Sequence, residues 1–237
     1  MSKIAEIVTL VEGPTEKIFI SDILVPYLAE RGVYMRPIII SKPGQKGGDV
    51  KFARVKNDIG LHLKQRSDTY LTLFVDYYGI KNDWPGLEEA KEQSTPRCKA
   101  ERINRATKAR VNELFRDCDS ERRFIPYVSM HEFEALLFSE PQKLAEQLNV
   151  SQSKIDKILS DCGEPENIDD SPQTAPSKRL EDLSDRFKKT STGIMIAKAI
   201  GLPKIRERCP IFTNWLRSIE DLLISKIQIK KQLDRPD

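Results

Sequence analysis

Acidic side chains end or follow three hydrophobic segments of the chain, residues 4–11, 70–76 and 123–130, each with the composition of a buried β-strand. The carboxyl ends of parallel strands meet at one edge of a sheet, where such proteins gather their functional groups. Carboxylates brought together there repel one another strongly unless a divalent cation neutralises them, and hard oxygen donors select Mg²⁺ or Mn²⁺. The acids concerned are Glu12, Glu16, Asp76, Glu132 and Glu134.

The segment His131-Glu132-Phe133-Glu134 decides how many of these acids share the site. If it is extended, Glu132 and Glu134 point to the same side and Phe133 points to the core. If it is already helical, the two carboxylates diverge and only one can join the others. Each acid alone would be an ordinary loop or helix-start residue, which for Glu16 is the simpler interpretation. His131 is either a catalytic base or, as a lone histidine, a structural residue.

Strands alternate with helices through the first third of the chain. This order predicts an α/β fold with a mostly parallel sheet flanked by helices, followed by a helical C-terminal part. We expect an α/β domain over residues 1–150 and a helical lobe with a basic tail over residues 151–237. Pro26 should kink or break the first helix, and Trp84 and Trp215 should pack in the interior. The predicted elements are strands 4–11, 33–41, 70–76 and 123–130, and helices 14–32, 50–66, 95–118, 131–148 and 178–223.

The composition excludes several classes of protein. Hydrophobic residues make up 39% and charged residues 32% of the 237 residues, the balance of a globular protein rather than a disordered one. No apolar run reaches the ~18–20 residues of a membrane-spanning helix, and no signal peptide pattern is present, so we expect a cytoplasmic protein with no membrane partner. Four scattered cysteines and two histidines argue against a disulfide framework and a zinc site, which leaves carboxylates to bind any metal.

Charge is distributed unevenly along the chain. The net charge is +3, but residues 128–170 carry −7, residues 171–237 carry +6 and residues 98–127 carry +3. Acidic clusters suit a metal and basic segments suit a polyanion, so we expect nucleic acid as a partner. The alternative for the basic residues is a solvated helix face. The candidate phosphate contacts are Arg102, Arg105, Lys178 and Arg179.

Two short motifs resemble those of the TOPRIM domain, the α/β domain of topoisomerases, primases and OLD-type nucleases. VEGPTE follows a hydrophobic strand, as in the first TOPRIM motif, and FVD at 74–76 ends a later strand, as in the second. The whole chain further resembles an uncharacterised bacterial family of TOPRIM-like proteins, often encoded beside an AAA-type ATPase of the OLD/ABC-like kind. The stretches that carry this resemblance are VEGPTE (11–16), LFVDYYG (73–79), MHEFEALLF (130–138), DSPQTAPSKR (170–179) and IGLPKIRERCPIFTNWL (200–216).

The resemblance implies a TOPRIM-like sheet and a nuclease that cleaves phosphodiester bonds with Mg²⁺ or Mn²⁺ as cofactor. It implies that Glu12 and Asp76 bind the metal and that Glu12 can also act as a general acid or base. Glu16 would complete the metal ligands, and Glu132 and Glu134 are further catalytic and metal-binding candidates. A topoisomerase needs a nucleophilic tyrosine in a separate domain, and a primase needs template and nucleotide sites. Neither is recognisable in 237 residues, which favours the nuclease.

One departure from the TOPRIM pattern affects the predicted site. The second motif is usually Asp-x-Asp, whose two carboxylates share the metal, but Tyr78 stands at the second position here. A neutral phenol is a poor Mg²⁺ ligand, so Glu132 or Glu134 supplies the missing charge, or the site holds one metal or has decayed. The hypotheses are an antiphage nuclease effector acting with the ATPase, a non-catalytic regulator or binding partner of that ATPase, and a tRNA-cleaving toxin. The substrate is either DNA or RNA, and the chain is either a monomer or a homodimer.

Overall fold

A parallel sheet forms the centre of the fold. The computed structural model describes residues 4–41, 50–168 and 174–223. The strands are β1 Ala5–Val11, β2 Val33–Ile39, β3 Tyr70–Asp76, β4 Phe124–Ile125 and β5 Val128–Ser129. Their order is β2–β1–β3–β4, β5 also pairs with β3, and every pair of these strands is parallel. The predicted α/β fold with a mostly parallel sheet is therefore confirmed.

The register of the sheet brings the ends of β1 and β3 together. Val11, the last residue of β1, pairs with Phe74 in β3 and with Ile39 in β2. Side chains alternate between the two faces along a strand, so Asp76 lies on the same face as Phe74. Glu12 and Asp76 therefore stand at the same edge of the sheet, as the sequence predicts.

The predicted strand 123–130 is wrong in its extent, because the chain forms two strands of two residues each there. β4 pairs through Phe124 with the first half of β3, and β5 pairs with its end, where Ser129 lies opposite Asp76. Pro126 stands between them, and proline has no N–H to donate to a ladder. Because β5 ends beside Asp76, the segment that follows it begins at the same edge of the sheet.

Helices surround the sheet, and the first predicted one is divided. A π-helical turn, Ile20–Leu24, lies between α1 and α2, and Pro26 is the second residue of α2. The chain stays helical through these three elements, so Pro26 does not end the helix. None of the helices in the described ranges is both long and apolar enough to cross a membrane. The helices are α1 Pro14–Phe19, α2 Val25–Ala29, α3 Phe52–Gln65, α4 Leu87–Lys91, α5 Pro96–Leu114, α6 Ser120–Arg123, α7 Pro141–Leu148, α8 Gln152–Cys162, α9 Pro176–Leu183, α10 Ile194–Ile200, α11 Leu202–Arg208 and α12 Pro210–Glu220.

Residues 131–148 do not form the single helix that the sequence predicts. A 3₁₀ helix covers Phe133–Ser139, and α7 begins only at Pro141. Glu140 is extended, with φ −137° and ψ 93°, because the α region is disfavoured for a residue that precedes proline. The predicted loop 77–96 in turn contains the short helix α4.

Apolar cores cover both faces of the sheet. On one face α1, α10 and α12 pack against β1 and β3, and on the other face α3 and α5 do so. Trp215 of α12 lies 5.2 Å from Phe74 between ring centroids and donates its indole N–H to the Thr72 hydroxyl at 2.9 Å. Trp84 is buried in the opposite core and donates to the Thr107 hydroxyl at 2.9 Å. Both tryptophans are therefore interior packing residues, as predicted.

The C-terminal helices share the core of the sheet. Phe212 in α12 packs against Phe19 in α1, with 6.1 Å between the ring centroids. The described parts of residues 1–150 and 151–237 meet in this core. Their division into a domain and a separate lobe stays a prediction.

Glu166 fixes the segment before α9 to the start of α12. Its side chain is buried, Oε2 accepts the N–H of Ile211 and Oε1 accepts that of Phe212, both at 2.8 Å. The first N–H groups of a helix have no partners within the helix, so this carboxylate satisfies two of them at the positive end of the dipole. The predicted loop 163–177 is thus attached to the C-terminal helices through one buried side chain.

Glu166→Ala is expected to lower the free energy of unfolding by about 1–3 kcal/mol, because it leaves buried N–H groups without acceptors. Urea denaturation of the variant and the parent protein measures this difference. Glu164→Ala is the matched control, since Glu164 forms its ion pair with Arg208 at the surface. An equal loss in the two variants would contradict the capping role of Glu166.

The stability contributed by Glu166 should also depend on pH. Burial raises its pKa from 4.5 to about 7, although the two backbone N–H groups act in the opposite direction. A folded-state pKa above the unfolded value means that the folded chain binds the proton more tightly, so stability falls as pH rises between these two values. Glu166→Gln removes this titration. Its unfolding free energy relative to the parent should therefore increase from pH 5 to pH 7, by about 1 kcal/mol per pH unit, and then level off. A difference that does not vary with pH in urea denaturation would contradict this.

Candidate functional site

Asp76, at the end of β3, lies at the centre of a group of acids that we call the carboxylate cluster. Its side chain is buried, and its Oδ1 accepts the backbone N–H of Phe133 at 2.9 Å. Burial raises the pKa of Asp76 well above its usual range, and the negative charges of four other carboxylates raise it further. These four, in decreasing order of their effect, are Glu16, Glu134, Glu12 and Glu132. All five predicted acids therefore come together at one edge of the sheet.

Glu12 and Glu16 are positioned by the start of α1. Gly13 precedes the helix, and its N–H donates to Glu16 Oε2 at 2.8 Å. Glu16 is thus a helix-start acid whose negative charge also raises the pKa of Asp76. Its interpretation as only a helix-start residue is therefore incomplete. Gly79 lies against Glu12, since a Cβ on this glycine would stand 2.0 Å from Glu12 Oε2. Only glycine allows such a close approach of backbone to carboxylate.

Glu132 and Glu134 both belong to the cluster, although Glu134 is helical. Glu132 is extended, with φ −139° and ψ 158°, and the 3₁₀ helix begins one residue later at Phe133. The segment is thus neither fully extended nor helical from its start, and the change of conformation after Glu132 brings both carboxylates to Lys189. Phe133 is buried in the core, as the sequence predicts.

Lys189 supplies a positive charge to the cluster from a distant part of the sequence. It begins the π-helical turn that leads into α10, and its Nζ lies 3.2 Å from Glu134 Oε1 and 3.8 Å from Glu132 Oε1. Burial lowers the pKa of Lys189, but the attraction of Glu134, Glu132 and Asp76 outweighs it and holds this pKa above its usual value. Burial also raises the pKa of Glu134 to about 7, an effect that Lys189 partly offsets. No spacing rule connects Lys189 with these acids, so sequence reasoning missed this contact.

The donors of the cluster suit a hard divalent cation. Backbone N–H groups orient three carboxylates, those of Glu16, Asp76 and Glu132, the last through the N–H of Ser177 at 2.8 Å. A carboxylate oriented through one oxygen keeps a second oxygen for another partner. Oε2 of Glu134 is buried and accepts no hydrogen bond in the part of the chain that the structure describes. Oxygen donors oriented in this way fit Mg²⁺ or Mn²⁺.

The cluster is nevertheless not a ready-made metal site. Among the described residues, no three acidic, histidine or cysteine side chains are positioned to hold a metal ion as they stand. The ammonium of Lys189 meets Glu132 and Glu134 instead. Metal binding would therefore require the carboxylates to move closer together, which their mutual repulsion opposes until an ion is present.

Aromatic rings border the cluster. Tyr77, Tyr78 and His131 form an aromatic triangle with ring centroids 5.8–5.9 Å apart. His131 is buried, and its Nδ1 lies at hydrogen-bond distance, 2.8 Å, from the Ile168 carbonyl oxygen, which supports a structural role for this histidine. Tyr78 stacks on His131 with 28° between the ring planes. The Nζ of Lys99 lies 6.0 Å from the centroid of the Tyr77 ring.

The predicted phosphate contacts on α9 have different surroundings. Lys178 is exposed and forms an ion pair with Glu181 at 2.6 Å on the same helix. Arg179 is half-buried and donates through Nε to the Thr174 carbonyl oxygen at 2.9 Å, which ties it to the backbone before the helix. Both roles in nucleic-acid binding stay predictions.

The predicted contacts on α5 lie on the surface. Arg102 stands 3.8 Å from Glu89, and Arg105 is exposed. Lys108 in the same basic run is structural, since it donates to the backbone carbonyl groups of residues 120, 121 and 124. Binding of phosphates by Arg102 and Arg105 stays a prediction. The loop 42–48, part of the DSPQTAPSKR stretch and the basic tail from residue 225 lie outside the described residues.

Comparison with known families gives a match over most of the chain. The profile described as "Domain of unknown function (DUF4276)" matches residues 11–220. The chain belongs to this family. The matched region of the DUF4276 chain contains the whole carboxylate cluster and Lys189. No curated protein matches the chain.

Solved structures similar to the DUF4276 chain include C-terminal regions of OLD proteins. The C-terminal region of the Burkholderia pseudomallei OLD protein is 16% identical, with a TM-score of 0.51, over 92% of this chain and 98% of that one. The C-terminal region of the Xanthomonas campestris pv. campestris OLD protein is 14% identical, with a TM-score of 0.44, over 98% of both chains. The Burkholderia match shows a common fold.

Gly79→Ala is expected to displace the Glu12 carboxylate and weaken Mn²⁺ binding by about tenfold or more. The new methyl group meets the end of a flexible side chain, so the fold should persist. Calorimetric titration with Mn²⁺ measures the affinity, and urea denaturation checks the fold. Gly193→Ala is the matched control, because its methyl group would lie 3.6 Å from the nearest ring atom, an ordinary contact. Unchanged Mn²⁺ affinity in Gly79→Ala would rule out Glu12 as a ligand held by this glycine.

Proposed function

We propose that the chain is a divalent-metal-dependent nuclease of the TOPRIM type that cleaves phosphodiester bonds in nucleic acid. One observation carries the proposal: the negative charges of four carboxylates surround the buried Asp76 at the carboxyl edge of a parallel sheet and raise its pKa. Such a concentration of negative charge is unfavourable without a cation, and its hard oxygen donors suit Mg²⁺ or Mn²⁺. The fold shared with the Burkholderia OLD C-terminal region supports the TOPRIM assignment.

The carboxylates divide the proposed chemistry between them. Glu12 and Asp76 would hold the metal cofactor, with Glu16 as a further ligand. Glu132 or Glu134 takes the place of the missing second aspartate of the TOPRIM motif. The bound ion would neutralise charge on the phosphate and activate the attacking water. Glu12 is the candidate general acid or base, because it stands at the end of β1 and acts electrostatically on Asp76.

Basic side chains would bind the phosphates of the substrate. Lys189 contacts the cluster directly, and an ammonium there attracts a phosphate group. Side chains further from the cluster would add affinity without sequence specificity, and the charge of +6 over residues 171–237 supports this. These proposed contacts are Lys178, Arg179, Arg102 and Arg105.

A biological role in antiphage defence is part of the same proposal. The resemblance to a family often encoded beside an AAA/ABC-type ATPase, together with the OLD-like fold, supports an effector that acts with such an ATPase in the cytoplasm. Co-expression with the neighbouring ATPase, followed by affinity capture, tests for the complex. This part of the proposal would be contradicted if the ATPase is not captured with the chain and does not alter its cleavage activity.

Glu12→Gln and Asp76→Asn are each expected to reduce metal-dependent cleavage to background, because both side chains serve one metal site. The double variant should be no worse than either single variant, since residues that act as a unit are not additive. The assay uses plasmid, linear DNA and tRNA with Mg²⁺ or Mn²⁺, with and without the ATPase. Glu6→Gln is the control, because Glu6 is exposed on β1 and pairs with Arg66. Full cleavage by either site variant would exclude the TOPRIM mechanism.

A non-catalytic regulator of an ATPase is the second candidate function. The ion pairs of Lys189 with Glu132 and Glu134 favour it, because they neutralise part of the cluster without a metal. Calorimetry with Mn²⁺ separates the two functions. Binding heat that disappears in Asp76→Asn supports the nuclease, and absence of binding heat in the parent protein supports the regulator.

A further inference from the structure

The aromatic triangle adjoins the carboxylate cluster on two sides. Tyr77 and Tyr78 directly follow Asp76, and His131 directly precedes Glu132. The backbone holds these two segments side by side, since Tyr78 donates its N–H to the His131 carbonyl oxygen at 3.3 Å. A phosphate bound at the cluster would therefore have aromatic rings as its neighbours, and the nucleotide that carries it would reach them.

The ring of Tyr78 has a rigid support. It stacks on His131 with 5.8 Å between centroids, and His131 is held in turn by the Ile168 carbonyl oxygen. His131 is 2% exposed, whereas Tyr77 and Tyr78 are half-buried, so the tyrosine rings lie between the interior and the solvent. A ring that is already fixed loses little conformational freedom when a ligand stacks on it.

Positive charge continues from the triangle along α5. The Nζ of Lys99 lies 6.0 Å from the Tyr77 ring centroid, and the exposed Arg102 and Arg105 follow on the same helix. Residues three apart share a face of a helix. Aromatic rings followed by cations are the combination that binds single strands, since bases stack on the rings and phosphates meet the cations. In a duplex the bases stack on one another, and their faces are not available to such rings.

We infer that the carboxylate cluster and the aromatic triangle together bind single-stranded nucleic acid, with Tyr78 stacking on a base next to the phosphate at the cluster. This rests on the proposed nuclease function and names its substrate class. Tyr78, which stands where a TOPRIM domain usually has its second aspartate, then selects unpaired substrate instead of binding metal.

Fluorescence anisotropy with a labelled oligonucleotide and with its duplex, as DNA and as RNA, tests this inference. The measurements are made in Ca²⁺, a divalent cation that can occupy the carboxylate cluster, so that Mg²⁺- or Mn²⁺-dependent cleavage does not interfere. The parent chain should bind the single strand about tenfold more tightly than the duplex. Tyr78→Ala should remove most of this preference, and Tyr78→Phe should keep it, because the ring remains. Tyr34→Ala is the matched control, since Tyr34 is 52% exposed on β2.

Several outcomes would overturn the inference: equal affinity for strand and duplex, no binding of either, or an unchanged preference in Tyr78→Ala. Tyr78→Leu separates stacking from packing, because it keeps apolar bulk without a ring, and it should bind as weakly as Tyr78→Ala. The experiments also distinguish a failure of this inference from a failure of the proposed function. Strand preference without cleavage overturns the nuclease alone, and cleavage restricted to duplex overturns the stacking alone.

Discussion

Mutual repulsion among buried carboxylates is the constraint that the rest of this structure must satisfy. Asp76 is enclosed by the core and lies under the influence of four further acids. Two unit charges ~4 Å apart repel by about 4 kcal/mol even at an effective dielectric constant of 20. A folded domain is stable by only about 5–15 kcal/mol in total. The cluster can therefore persist only where donors from the chain, protons or a cation offset the repulsion.

The chain supplies these donors from the beginnings of helices. The N–H groups bound by Glu16, Asp76 and Glu132 belong to the residue before α1, the first residue of the 3₁₀ helix and the second residue of α9. Such groups have no partner inside their own helix and carry the positive end of its dipole. Lys189 adds a full positive charge at the start of the turn before α10. Donors at Gly13, Phe133, Ser177 and Lys189 thus stabilise one cluster.

Sequence patterns could predict the sheet edge and the five acids, because the carboxyl ends of strands are defined by hydrophobic runs such as 70–76. They could not predict Lys189 or the close approach of Gly79 to Glu12, since neither follows a local spacing rule. The apolar composition of residues 123–130 favours one long strand and hides the effect of Pro126, which stands between two short strands. Local chemistry thus predicts the acids, whereas the contacts that orient them depend on tertiary structure.

The short strand β5 explains how the cluster gathers its acids without an Asp-x-Asp motif. An Asp-x-Asp motif takes both carboxylates from one strand end, whereas Tyr78 stands two residues after Asp76 in this chain. Ser129 of β5 lies opposite Asp76, so the chain that leaves β5 passes the end of β3 and delivers Glu132 and then Glu134. A ladder of two residues is enough, because its function is to set the register of the following segment. Tyr78, two residues after Asp76, therefore contributes an aromatic ring at this edge of the sheet, and Glu132 and Glu134 contribute the charges.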